Sequence, residues 1–198
     1  MVEIDPFNPN ALPVKRTAMG RIQHEGAVYA PTTDGRVVIY SGDDHAGEYI
    51  YKFITKNKYN PTNRAANLNL LDEGTLYVAR FDAGAATGDD MGSGVWLPLT
   101  LDVPALAAEF ATLGDLLVNT RRAADLVGAT RMDRPEWLSV DPTNSGAIYI
   151  ALTNNSARGN ASSNTPTTND SNPRLNNRYG HIVRWDEAGG DPASNTFT

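Results

Sequence analysis

Two stretches of this sequence carry, at one common spacing, the residue types that a hard cation needs. The first runs Glu25-Gly-Ala-Val-Tyr-Ala-Pro31, then Gly35-Arg-Val-Val-Ile-Tyr40, then Asp43-Asp44. The second runs Glu136-Trp-Leu-Ser-Val-Asp-Pro142, then Gly146-Ala-Ile-Tyr-Ile-Ala151, then Asn154-Asn155. In both, Glu to Pro is six positions, Glu to Gly is ten, and Gly to the acidic or amide pair is eight and nine, with no gap. Each copy reads strand, turn, strand, with Thr33-Asp34-Gly35 and Asn144-Ser145-Gly146 as the expected turns. A hairpin returns the chain to its starting level, so the opening Glu and the closing pair lie at one end, on neighbouring strands. Carboxylate and amide oxygens gathered at one sheet edge suit a hard divalent cation. The same pattern also fits plain hairpins whose strand-end acids are solvated, and both readings stand at this level.

The elements that must position these residues are mostly short strands. Alternating or apolar runs recur at Val2–Ile4, Gly26–Ala30, Arg36–Tyr40, Tyr49–Ile54, Thr75–Phe81, Val95–Leu97, Trp137–Val140, Ala147–Leu152 and His181–Trp185, each bounded by Gly, Pro, Asn or Asp. This predicts a mainly β, antiparallel protein. Two equivalent hairpins among short strands suggest propeller blades, whose inner strand ends converge on a central channel. Helical periodicity is confined to an insertion around residues 103–127, with Gly128 as its stop. Residues 156–177 form a polar tract of Ser, Asn, Thr, Pro and Arg that reads as a surface loop. Residues 1–198 are expected to be one partial β domain, incomplete at both ends. Met1 leads directly into a strand-like run with no export signal, and the last residues trail past another strand.

Composition narrows the chemistry. The 198 residues carry a formal net charge of −6, which disfavours nucleic acid as a partner and is compatible with hard cations. No apolar run approaches a membrane span. The absence of cysteine excludes disulfides, thiolate ligands and a cysteine nucleophile within these residues.

Longer stretches are more specific. They are Lys15-Arg-Thr-Ala-Met-Gly-Arg21 with Gln23-His-Glu-Gly-Ala27, Val38-Ile-Tyr-Ser-Gly-Asp-Asp44, Glu48-Tyr-Ile-Tyr-Lys-Phe53, Leu70-Leu-Asp-Glu-Gly-Thr-Leu-Tyr-Val-Ala-Arg-Phe81, Thr120-Arg-Arg-Ala-Ala-Asp-Leu-Val-Gly-Ala129, Met132-Asp-Arg-Pro-Glu-Trp137, Leu152-Thr-Asn-Asn-Ser156 and Arg178-Tyr-Gly-His-Ile182. In order and content they resemble the PhoX-type alkaline phosphatases, over nearly the whole chain. The resemblance implies a six-bladed β-propeller with an inserted helical segment, and a periplasmic or secreted enzyme that hydrolyses small-molecule phosphate monoesters with calcium and iron. It implies metal-binding roles for Glu25, Asp44 and Glu136, and a phosphate-binding role for Arg134. Arg134 and Glu136 are two apart, so on an extended strand they face the same way. A guanidinium beside a metal-bound carboxylate can clamp phosphate oxygens in a fork.

The resemblance also implies irons bridged by a cysteine thiolate, which this chain lacks, so the fragment is expected to be inactive alone; separately, the full-length protein is expected to be a monomer. Two other readings of the same residues are open: a non-catalytic calcium-binding propeller segment, and a lactonase-like hydrolase with one divalent ion. His24, His45 and His181 are expected to pack or to sit in turns. Arg121 and Arg122 are expected on a solvated helix face. Asp89-Asp90 lacks EF-hand spacing, and no Ser-His-Asp signature stands out.

Overall fold

The computed structural model describes residues 1–86 and 88–198. β1 (Val2–Glu3) and β2 (Val14–Lys15) form a short antiparallel pair. β3 (His24–Pro31), β4 (Val37–Asp43), β5 (Ile50–Thr55), β6 (Gly74–Ala83) and β7 (Gly92–Pro98) follow as an antiparallel meander. The helical segment comes next: α1 (Pro104–Glu109), α2 (Leu113–Val118) and α3 (Thr120–Leu126). β8 (Pro135–Asp141), β9 (Asn144–Leu152) and β10 (His181–Asp186) make a three-stranded sheet. β11 (Thr196–Phe197) then pairs with β7 and completes a six-stranded sheet in the order β11-β7-β6-β5-β4-β3. The fold is mainly β with few helices, and neither sheet closes on itself.

The six-stranded sheet is covered on both faces. Ile50, Ile54, Tyr40, Val38 and Trp96 meet Leu138, Ile148, Ile150 and Trp185 of the smaller sheet in one core. On the other face, Tyr51, Phe53, Leu76 and Val78 meet Leu106, Leu116, Ala123 and Ala124 of the helices. Burial on both faces explains why every residue of β5 is buried and why its sequence runs apolar with little alternation. Helix starts and stops follow local chemistry: Pro104 opens α1, Thr112 caps α2 by accepting from the Asp115 amide at 3.1 Å, and Gly128 follows α3 with φ of 76°.

Both repeat segments are hairpins, β3–β4 and β8–β9. Each opening strand breaks register beside its glutamate, between Glu25 and Val28 and between Pro135 and Leu138. The turn expected at Asn144-Ser145-Gly146 lies instead at Pro142-Thr143, because Asp141 accepts from the Thr143 amide (2.8 Å) and hydroxyl (2.7 Å) and Asn144 already opens β9. As a result the second hairpin pairs two residues out of step with the first. Val28 pairs with Tyr40, whereas Ser139, its counterpart by spacing, pairs with Tyr149 rather than Ala151. The two-residue strands β2 and β11 carry too little pattern to be read from sequence.

The hairpins touch backbone to backbone. A Cβ on Gly42 of β4 would lie 2.5 Å from the Pro135 carbonyl oxygen and 2.9 Å from that of Glu136. Only glycine permits this approach. Gly42→Ala is therefore expected to cost about 1–3 kcal/mol or more, read as a fall in the urea midpoint. A midpoint equal to that of the unaltered protein would show that the hairpins can part without cost.

Residues 156–177 contain no strand or helix beyond isolated bridges at Asn155–Asn177 and Asn169–Asn172. Much of the segment is exposed, yet Arg158, Thr165, Asn172 and Asn177 are buried.

Candidate functional site

The close crossing at Gly42 brings the end of β4 against the start of β8, and Asp44, Arg134 and Glu136 meet there. After α3 the chain runs beside residues 46–48. Met132 donates to the Glu48 carbonyl and accepts from the Gly47 amide, both at 2.9 Å. Asp133 then turns inward and Arg134 adopts φ of 41°, one of three non-glycine residues at positive φ among the described residues. That backbone costs an arginine on the order of 1–2 kcal/mol, and the following Pro135 restricts it further. Strain of this kind persists where neighbours over-determine it. Here the Thr153 amide donates to the Arg134 carbonyl at 3.1 Å.

The Arg134 side chain faces two acids. Its Nη2 lies 2.9 Å from Asp44 Oδ1 and 3.1 Å from Asp44 Oδ2, and 3.8 Å from Glu136 Oε1. Its Nη1 reaches Asn154 Oδ1 at 3.4 Å. Asp44 is anchored by its own amide, which donates to the Gln23 carbonyl at 3.0 Å. Glu136 is held by the Thr153 hydroxyl, which donates to Oε1 at 2.5 Å. The structure thus brings Arg134, Asp44 and Glu136 together, with Asn154 of the second closing pair beside them. Glu25 lies on β3 opposite Gly42 and is half-buried. Among the described residues no side-chain hydrogen bond or ion pair ties Glu25 to the other three, and no group of three or more His, Asp or Glu is assembled in ligating reach.

Charge at this corner is unbalanced: one guanidinium faces two carboxylates, with a third on the adjoining strand. Asp44 Oδ1 is buried and makes no aligned hydrogen bond, although Nη2 is close to it. The guanidinium meets its charge, but aligned donors do not use its lone pairs. The donor set is all oxygen, which fits calcium. It offers iron carboxylates only. Both ring nitrogens of His24 are taken, by the Ser41 hydroxyl (2.9 Å) and the Gly20 carbonyl (3.1 Å), and burial holds its pKa below the usual histidine range. His45 is exposed and turned to the Ala46 carbonyl. His181 is engaged by Asn177 and the Ser171 carbonyl.

Asp43 and Asp44, adjacent in sequence, serve opposite sides of the strand. Asp43 is fully buried and receives Arg121 Nε and Nη2, both at 2.7 Å, and the Gln23 amide at 3.1 Å. Arg121 is therefore not a solvated helix residue, as its position on α3 suggested. It is a two-pronged clamp that fixes the end of β4 to the helices. Nothing in the local spacing marks it, because its partner lies far away in sequence. Glu48 also lies near Arg121, at 3.6 Å, and burial raises its pKa.

The chain matches the family described as "Alkaline phosphatase PhoX" over residues 1–198. Among solved structures it is similar to Pseudomonas fluorescens PhoX in complex with vanadate, a transition state analogue, at 49% identity and a TM-score of 0.91. That match covers 99% of this chain and 34% of the other, so the chain spans about a third of that protein's length. No curated protein matches it. Among the described residues no helix is long and apolar enough to cross a membrane.

Proposed function

The chain belongs to the PhoX alkaline phosphatase family, and from that premise we propose that the Arg134 corner binds the phosphoryl group of small-molecule phosphate monoesters during their hydrolysis. The observation that carries the reading is the Arg134 guanidinium, held on a constrained backbone between Asp44 and Glu136 at the meeting point of two hairpins. The similar Pseudomonas protein binds vanadate, a transition state analogue, and a fork-shaped cation suits such an oxyanion.

In this reading Arg134 binds and orients phosphoryl oxygens and stabilises the charge that builds on them. Asp44 and Glu136 aim the guanidinium. These two, with Glu25 on the adjoining strand, are the oxygen donors that would hold calcium, and Asp44 Oδ1, beside the guanidinium but without an aligned hydrogen bond, is one it would meet. When bound, such a cation polarises phosphoryl oxygens. Iron enters from the family resemblance, and the roles given to these residues do not depend on it. The two sheets are taken as parts of a six-bladed β-propeller within a monomeric, exported protein.

Turnover of a chromogenic phosphate monoester by the intact protein, with calcium supplied, tests the reading. Calcium binding without turnover would leave a bracing role only, and turnover of lactones instead would favour single-metal lactone hydrolysis. Glu136→Gln is expected to weaken calcium affinity on the order of 10-fold or more, because a carboxylate is exchanged for a neutral amide in a small oxygen set. Calorimetric titration of calcium into both proteins measures it, and equal affinity would remove Glu136 from the site.

A further inference from the structure

We infer that the buried Asp133–Arg158 ion pair, with Asn155 and Asn177, is a positioning device for the Arg134 guanidinium; the inference rests on the phosphate-binding reading of Arg134. Asp133 directly precedes Arg134 and has no solvent exposure. Its Oδ1 accepts from Arg158 Nε at 2.5 Å and Asn155 Nδ2 at 2.8 Å, its Oδ2 accepts from Asn177 Nδ2 at 3.0 Å, and its amide donates to Asn172 Oδ1 at 3.0 Å. Arg158 spends the rest of its fork on two carbonyls, Thr167 at 2.8 Å and Arg131 at 3.0 Å. It thereby ties together the residues just before Arg134 and the polar segment that follows β9.

Three consecutive residues at the end of β9 connect this network to the site. The Thr153 amide holds the Arg134 carbonyl, Asn154 meets the Arg134 guanidinium, and Asn155 grips Asp133. The Asn155 amide in turn donates to the Asn177 carbonyl at 2.7 Å. Arg134 is therefore bounded on one side by a clamped carboxylate and on the other by the rigid ring of Pro135. The clamp on Asp133 and the ring of Pro135 thus restrain the left-handed backbone from which the Arg134 side chain departs, while Asp44 and Asn154 meet its guanidinium. A buried ion pair is poor evidence for stability, since apolar residues of similar volume often serve a core as well. Its value lies in the geometry it enforces.

Substitutions that loosen the cage without emptying it supply the test. Arg158→Lys keeps a cation beside Asp133 but cannot span Thr167 and Arg131 at once. Asn155→Ala removes one of the donors to Asp133, together with the Asn155 bonds to Thr165 and the Ala157 amide, and leaves the ion pair. In the intact protein each is expected to raise the inhibition constant for vanadate, and KM for a chromogenic phosphate monoester, on the order of 10-fold, with metal content unchanged. In an Arg134→Ala background the same substitutions are expected to change the vanadate constant by less than about 2-fold, because coupled sites are not additive. A lower melting temperature with unchanged vanadate affinity, or full additivity with Arg134→Ala, overturns the inference alone. Unchanged vanadate affinity in Arg134→Ala itself overturns the phosphate reading and takes the inference with it.

Discussion

Arg134→Ala in the intact, metal-loaded protein is expected to lower kcat/KM for phosphate monoesters by about 30- to 1000-fold, on the order of 2–4 kcal/mol of transition-state stabilisation. The magnitude follows from a charge-assisted, forked contact in a partly sheltered corner. Arg134→Lys keeps the charge and loses the fork, so its loss is expected to be smaller but still clear. Metal content should hold in both, since a guanidinium has no lone pair to offer a cation. Removing the guanidinium also frees Asp44 and Glu136 from their positive neighbour, so calcium affinity is expected to stay level or tighten. The competing account makes Arg134 a strut for those two acids. It predicts lost metal or stability with a near-normal rate per metal-loaded molecule. Metal stoichiometry and kcat/KM measured together on both variants decide the matter, and a metal-replete Arg134→Ala protein with unaltered kcat/KM would falsify the clamp.

The second large effect concerns stability. Lys52 and Glu187 are both fully buried, with Nζ 3.2 Å from Oε2. Nζ also donates to the Pro192 and Ser194 carbonyls, at 3.0 and 2.6 Å, and lies 4.5 Å from the centre of the Trp96 ring. Glu187 Oε1 accepts from the Tyr40 hydroxyl at 2.7 Å and from the Trp96 indole at 3.0 Å, with the Trp185 indole at 3.3 Å. Burial pushes Lys52 down to about 8 and Glu187 upward, and the contacts between them pull each back towards its charged form. The knot joins the middle of the six-stranded sheet to the chain's last turn. Lys52→Met or Glu187→Gln is expected to cost about 3–5 kcal/mol, the cost of leaving a buried charge without its partner. Apolar replacement of both should not restore stability, since a phenol and two indole N–H groups would remain without an acceptor. Equilibrium denaturation of the single and double variants measures this. A single-variant loss below about 1 kcal/mol would mean that water or local rearrangement replaces the missing partner.

Legibility from sequence followed the range of the interactions. The two hairpins are legible because strand alternation and the Thr33-Asp34-Gly35 turn act over a few positions, whereas the second turn falls at Pro142-Thr143 and Gly146 lies inside β9. The bulges beside the two glutamates are not legible, since register is settled by cross-strand packing. Asp43 and Asp44 look like one acidic pair in sequence, yet strand alternation sends one to Arg121 and the other to Arg134. Arg121, Lys52 and Arg158 were read from their neighbours, as part of a helix face, an apolar strand and a polar tract. Each in fact answers to an acid on another element. The motif holding Arg134 and Glu136 points to the corner where both meet Asp44, but its left-handed backbone and its supporting cage are tertiary facts.

The glycine crossing between β4 and β8 also bears on the order of folding. Each hairpin can form from local contacts within microseconds. Asp44 and Arg134 are 90 residues apart, and so distant a pairing is expected to come late, because loop closure must precede it. On that order the corner is expected to be among the last features to form, after its two hairpins. Any ligand that binds only the docked corner is expected to report that step and, by mass action, to favour the native side of it.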